Sequence, residues 1–301
     1  MCTRLCAPIG ARASSIVIGT FLRLNTSTNT RAGAIQPKSM VVPAQSSSTM
    51  DFGCMAPALV FVEVFKRKQV PITTEEARAP MGAHKRVHIK KITELPPVAR
   101  RWQEKHGRKP TEADVDAMFA EFVPLQLGCL SEYSELIPGT LDAVNEMRKR
   151  GIKIGSTTGY LTEMMDINRK DAARQGYEPD STVCASDVPA GRPYPYMCLQ
   201  NVINLQVWPV SACVKVDDTV PGVEEGLNSG MWTVGLAMSG NEIGLPLKEV
   251  MALAPADREA RRQRAYTRMR QCGAHYVVDS IADLVPCLDD IERRLARGER
   301  P

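Results

Sequence analysis

No Asp or Glu occurs in the first fifty residues of this 301-residue chain. The same stretch holds five basic side chains (Arg4, Arg12, Arg23, Arg31 and Lys38) and thirteen Ser and Thr. The whole chain carries 38 Lys and Arg against 34 Asp and Glu, a formal charge of +4. Without the leader the balance is 38 − 5 = 33 against 34, or −1. A near-neutral body of this kind excludes a globally basic nucleic-acid binder. No run of 18 apolar residues exists, which argues against a membrane-spanning helix. The nine cysteines (2, 6, 54, 129, 184, 198, 213, 272 and 287) include no C-x-x-C pair. An odd, scattered set argues against a disulfide framework and lacks the clustered ligands of a zinc site. It fits reduced thiols in an intracellular compartment.

What is present is an ordinary globular composition, 44% hydrophobic and 24% charged, long enough for about two domains. Residues 1–50, rich in Ser and Arg and free of acid, read as a transit-like leader or a plain disordered tail. The expected location is therefore intracellular: organellar where the leader acts as an address, cytoplasmic otherwise.

Residues 54–137 read as a helical domain. Apolar side chains at 58, 59, 62 and 65 give Pro57–Lys68 a helical spacing. Met81–Thr93 forms a second helix. Thr111-x-x-Asp114 is a capping-box-like start to a third, with apolar positions at 115, 118, 119 and 122. From 138 to 301 helices and strands alternate. The strands are Ile152–Ser156, Thr182–Ala185, Ala212–Val216, Met231–Leu236 and His275–Val278. The helices are Thr140–Arg150, Leu161–Gln175, Tyr194–Leu205, Val223–Asn228, an Arg-rich Asp257–Gln271 and Ile281–Arg297. This alternation predicts an α/β, doubly wound, Rossmann-like core with a parallel sheet. The helical segment then reads as a cap, inserted or prefixed.

In such a sheet, chemistry collects in the loops outside the carboxyl ends of the strands. Three loops qualify: Gly155-Ser-Thr-Thr-Gly-Tyr160, Ser186-Asp-Val-Pro-Ala-Gly-Arg-Pro193 and Asp217-Asp-Thr219. Their hydroxyls and amides, an arginine and paired acids suit a phosphoryl group and a divalent cation. Singly, each also has a structural reading: a tight turn, a surface arginine, an N-cap.

These residues resemble the haloacid dehalogenase superfamily and, within it, the phosphonoacetaldehyde hydrolase (phosphonatase) family. The resemblance rests on Asp51–Pro57, Pro80–Ile89, Ile152–Tyr160, Asp187–Pro195 and Lys215–Gly235, with the Met-Gly…Lys…His segment of the cap as its most specific part. It implies C–P bond hydrolysis of phosphonoacetaldehyde to acetaldehyde and phosphate, with Mg²⁺ as cofactor and a homodimer formed through cap helices. A C–P bond leaves a carbanion, and a lysine imine converts that carbanion into an enamine. By resemblance Lys85 is the imine lysine, which must be neutral to attack the aldehyde. His88, three residues on and on the same helical face, is its proton shuttle. Cys54 and Met81 line the site, Thr158 and Tyr160 surround the phosphoryl group and aldehyde, Arg192 binds the phosphoryl oxygens, and Asp218 is a Mg²⁺ ligand. Without the family, Lys85 reads as one cation of a solvated face, His88 as a surface or core histidine, Met81 as packing and Cys54 as a small buried hydrophobe.

One motif is missing. The family's first strand runs into an aspartate that attacks phosphorus and holds Mg²⁺. Counted back from Cys54 without a gap, that aspartate falls on Ala44. The preceding strand is reduced to Val41-Val42 before Pro43, which removes a ladder donor. Asp51 is the only nearby acid, seven residues too late. Three histories fit: an active hydrolase whose first strand has been lost or replaced, a binder of an aldehyde or phosphonate that does not hydrolyse it, or a structural partner keeping the fold. A general phosphatase of the same superfamily is the rival enzyme. The expectation is hydrolysis that is very weak or absent, and a gap in the sheet unless another run such as Ile16–Phe21 fills the slot.

Overall fold

The computed structural model describes residues 40–43, 55–133, 135–245 and 247–301. Strand β1 (Met40–Pro43) opens it. A helical block follows: α1 (Met55–Arg67), α2 (Thr74–Arg78), α3 (Lys85–Glu94), α4 (Pro96–His106) and α5 (Glu112–Cys129). The α/β part then runs α6 (Thr140–Lys149), β2 (Ile152–Thr158), α7 (Thr162–Arg174), β3 (Ser181–Cys184), α8 (Tyr196–Asn204), β4 (Val214–Asp217), α9 (Val220–Asn228), β5 (Trp232–Leu236), α10 (Leu247–Ala252), α11 (Pro255–Gln271), β6 (Tyr276–Val278) and α12 (Leu284–Ala296).

All the ladders are parallel. One set is ordered β1-β2-β3 and the other β4-β5-β6, and β1 also approaches β4. The slot ahead of the cap is therefore filled, which corrects the expected gap. Met40 pairs with Ile152 and Pro43 with Gly155. Pro43 costs one donor but sits last in the strand, where the loss is least. The alternative run at 16–21 lies outside the described residues, as do the rest of the leader, Ala44, Asp51 and Cys54. Because β1 precedes the helices and β2 follows them, the cap is inserted rather than prefixed.

Two apolar clusters account for the two parts. Beneath the sheet lie Ile152, Ile154, Val214, Val216, Trp232, Val234 and Leu236, covered by α6 and α12 through Val144, Met147, Leu288 and Ile291. Strands β4 and β5 are buried along their whole length, as central parallel strands should be. The cap cluster is built on α1, whose Ala58, Phe61, Val64 and Phe65 recur at helical spacing and bury against Ile89, Ile92, Trp102, Met118 and Phe122. The capping box at Thr111 forms as expected, its side chain accepting from the Asp114 N–H. Arg86 ties α3 to α5 through Glu112 (2.8 Å) and Asp116 (2.6 Å). Tyr160 and Met164, which follow β2, also belong to the cap cluster. This shared packing seats the cap over the carboxyl ends of the strands. Among the described residues no helix is long and apolar enough to cross a membrane.

Candidate active site

The cap reaches the sheet through the turn ahead of α3. Gly82 has φ +94°, and a Cβ there would stand 2.7 Å from Thr219 Oγ1 in the loop after β4. Gly159, after β2, lies as close to the cap: its Cβ would stand 3.1 Å from the carbonyl oxygens of Gly82 and Ala83. A Cβ at either position would force its neighbours to shift, and Gly82 also holds a left-handed backbone. The Pro80–Ile89 segment thereby meets two of the three strand-end loops.

Lys85 is the first residue of α3 and is fully buried. Its Nζ stands 4.6 Å from the Tyr160 ring centroid and 6.0 Å from that of Phe61. Ring faces attract a cation in a desolvated site. The solvated-face reading of Lys85 therefore fails: Arg86 and Lys90 take the outer face, paired with acids of α5, while Lys85 points inward.

His88 is also fully buried, with its ring 4.1 Å from that of Phe61. Its Nε2 lies 2.7 Å from the Ala77 carbonyl oxygen. A carbonyl can only accept, so Nε2 carries the hydrogen. Nδ1 keeps its lone pair and has no hydrogen-bond partner among the described residues. Burial, and then the charge of Lys85, push the His88 pKa well below 6.5, so the ring is neutral. The ring thus presents a neutral nitrogen with a lone pair on the same face of α3 as Lys85, one turn away.

The core side contributes a closed charge network. Arg192 and Lys215 face Asp217 and Glu225, and all four side chains are fully buried. Glu225 Oε2 accepts from Lys215 Nζ at 2.9 Å and Arg192 Nε at 3.1 Å. Asp217 Oδ2 lies 3.2 Å from Lys215 and 3.4 Å from Arg192. Thr157 joins them, its Oγ1 within 2.6 Å of Lys215 Nζ and 2.9 Å of Arg192 Nη2. Burial opposes each charge, but the partners outweigh it. The Lys215 and Arg192 pKa values are held up, and that of Asp217 is held down. Arg192 is thus bound to the protein's own acids as well as standing at a strand-end loop.

Asp217 Oδ1 accepts the Thr219 N–H (3.0 Å) and hydroxyl (2.8 Å), and Thr219 caps α9. The N-cap reading holds for Thr219. Asp218 differs. Its Oδ2 accepts the Asn241 N–H at 2.7 Å, and burial followed by the Asp217 charge pushes its pKa well above the usual carboxylate range. A cation would relieve that cost. Among the described residues no three acids, histidines or cysteines gather as a ligand group. Mg²⁺, however, needs only one or two carboxylates beside water and substrate phosphate oxygens. Asp218 fits such an ion.

The other expected residues fall as follows. Thr158 ends β2, is buried, and accepts the Tyr160 N–H at 3.1 Å. Met81 is buried in the cap cluster and packs there. Cys54 lies outside the described residues. Sequence reasoning missed Phe61, Thr157, Lys215 and Glu225. The available signal was Lys215 itself, a charge between two valines in a strand bound to be buried on both faces, which requires a buried acid nearby.

The fold agrees with comparisons to known proteins. A family model described as haloacid dehalogenase-like hydrolase matches residues 55–230. The chain belongs to this class of hydrolases. A phosphonoacetaldehyde hydrolase of Hahella chejuensis is 46% identical over 265 residues, which is 88% of this chain and 90% of that protein. One of Paraburkholderia phytofirmans is 48% identical over 85% of this chain and 96% of its own. The crystal structure of a phosphonoacetaldehyde hydrolase-like protein from Oleispira antarctica superposes with a TM-score of 0.80 at 43% identity, covering 82% of this chain and 90% of that one. Within the class, the chain is a member of the phosphonoacetaldehyde hydrolase family. A match spanning 265 of 301 residues leaves too few outside it to exclude Met40–Pro43.

Proposed function

We propose that the chain acts on phosphonoacetaldehyde through an imine on Lys85, releasing acetaldehyde and phosphate. The observation that carries this reading is the Lys85 amine, fully buried at the cap–core junction between two ring faces with neutral His88 one turn away. The Lys85 lone pair adds to the aldehyde carbon, a C–N bond forms, and the aldehyde oxygen leaves as water. His88 Nδ1 takes up and returns the protons of that exchange. The resulting iminium keeps its positive charge between Tyr160 and Phe61, so the rings that held the ammonium also stabilise the intermediate. When the C–P bond breaks, its electron pair enters the enamine rather than resting on carbon. Protonation of the enamine carbon and hydrolysis of the imine release acetaldehyde and restore Lys85.

Thr158, Tyr160 and the Arg192 network are the groups at the strand ends that would receive the phosphoryl group. Asp218 would hold Mg²⁺, which when bound supplies positive charge against the phosphoryl oxygens. The phosphoryl group must pass to an oxygen nucleophile. Residues 1–50 hold no carboxylate, and Asp217 is tied to Lys215, Arg192 and Thr219. With Ala44 where the family's aspartate is expected, we expect transfer directly to water and a turnover lower by several orders of magnitude, on the scale seen when other enzymes lose a nucleophile. A homodimer through the cap helices and an intracellular address belong to the same proposal.

Phosphate release from phosphonoacetaldehyde and from a phosphate ester tests the reading. Slow release from the phosphonate that disappears in Lys85→Arg is expected. Ester hydrolysis indifferent to Lys85→Arg would instead mark a general phosphatase.

A further inference from the structure

Helix α11 is the Arg-rich segment that the proposed chemistry does not use. Arg261, Arg264, Ala265 and Arg268 recur at helical spacing and share one face. That face forms a groove of about 620 Å³ with Arg78 and Glu75 of α2 and with Asn241, Glu242 and Ile243. Four guanidinium groups and two carboxylates therefore line one space of the size that holds a small organic ligand. The acids do not balance it. Glu242 lies 3.4 Å from Arg268, and Arg261 and Arg264 have no ion-pair partner among the described residues. Arg78 reaches across to the Gly244 carbonyl at 3.5 Å, while its Nε is buried with no hydrogen-bond partner among the described residues. Elsewhere on the same helix the pattern is ordinary: Arg262 is paired with Asp279 and lies over Tyr266. Like charges gathered around a concavity, with an unsatisfied buried donor, are stabilised by an anion. Guanidinium groups match the oxygens of phosphate bidentately.

We propose that this groove is a second binding site, for a phosphate-class anion of two or more charges, free or carried on a small organic molecule. Lys85 is not among its lining residues, but its walls belong to elements that serve the proposed active site. Asn241 donates its N–H to Asp218. Helix α2, which carries Arg78, also supplies the Ala77 carbonyl that fixes His88. An anion bridging Arg78 to the α11 arginines would clamp the cap to the core at that point.

The test is calorimetric titration of the full chain with pyrophosphate and, separately, with a sugar monophosphate, on wild type, Arg261→Gln/Arg264→Gln and Lys85→Arg. One site is expected in wild type for at least one probe, weakened about tenfold or more for each guanidinium removed, about 1.4 kcal/mol each, and unchanged in Lys85→Arg. The tighter probe identifies the free or carried form. Circular dichroism melts establish that the variants are folded, and Arg264→Glu supplies an independent charge reversal. No binding to wild type, or binding unaltered by the arginine substitutions, overturns the proposal. So does binding that falls in Lys85→Arg instead, which would place the anion in the active site.

Discussion

Glu225→Gln is expected to be among the most destabilising single substitutions in the core. Wild type balances two buried cations, Arg192 and Lys215, against two buried acids, Asp217 and Glu225. Glu225 Oε2 alone takes contacts from Lys215 at 2.9 Å, Arg192 at 3.1 Å and Thr157 at 3.3 Å. A neutral amide leaves one positive charge uncompensated in a fully desolvated site. Breaking a buried pair in this way costs about 3–5 kcal/mol, a large share of the roughly 5–15 kcal/mol that stabilises a folded domain. The same logic predicts rescue. Lys215→Met/Glu225→Gln restores neutrality and should recover most of the loss, because buried pairs replaced together are often close to neutral. Urea denaturation followed by far-ultraviolet circular dichroism measures both. The reasoning is refuted if Glu225→Gln costs less than about 1 kcal/mol, or if the double variant is no more stable than the sum of the singles, since then the charges would not be coupled.

Two further predictions follow from the site. The folded-state pKa of His88 lies well below 6.5, so below pH 6.5 the unfolded chain binds a proton that the folded chain refuses. Its contribution is therefore constant above that pH and is lost as pH falls, by up to about 1.4 kcal/mol per pH unit; a denaturation series from pH 8 to 5 should show the slope, and His88→Gln should reduce it. Ala44→Asp puts a carboxylate at the residue that follows β1 in sequence, and should raise phosphate release from phosphonoacetaldehyde by at least ~100-fold; unchanged turnover in a folded variant would reject the gap-free count from Cys54.

Most of the architecture was legible because its signals are local. Capping at Thr111, glycine stops after α6 and α7, and β-branched runs at β4 and β5 fix those elements from their own residues. The short helices α2 and α10 escaped, being too brief to show a period, and the 11-residue α4 was not singled out either. Strand β1 was undervalued for a different reason: a four-residue Met-Val-Val-Pro segment offers only two strand-favouring valines before a proline, and its pairing with β2 comes from tertiary context across more than a hundred residues. The site divides in the same way. Lys85 and His88 sit among cations that look solvated, and nothing in their spacing shows that Lys85 turns inward onto Phe61 and Tyr160; only the family resemblance selected them. The Thr157–Lys215–Glu225 network was hidden because its members are far apart in sequence.

The central claim is that Lys85 forms an imine. Incubation of the 301-residue chain with phosphonoacetaldehyde and borohydride, followed by proteolysis and mass spectrometry, tests it without requiring turnover. A reduced two-carbon adduct on Lys85, with phosphorus retained or lost, is expected in wild type and absent in Lys85→Arg. No adduct on Lys85, or equal labelling spread over exposed lysines in both proteins, would contradict the account.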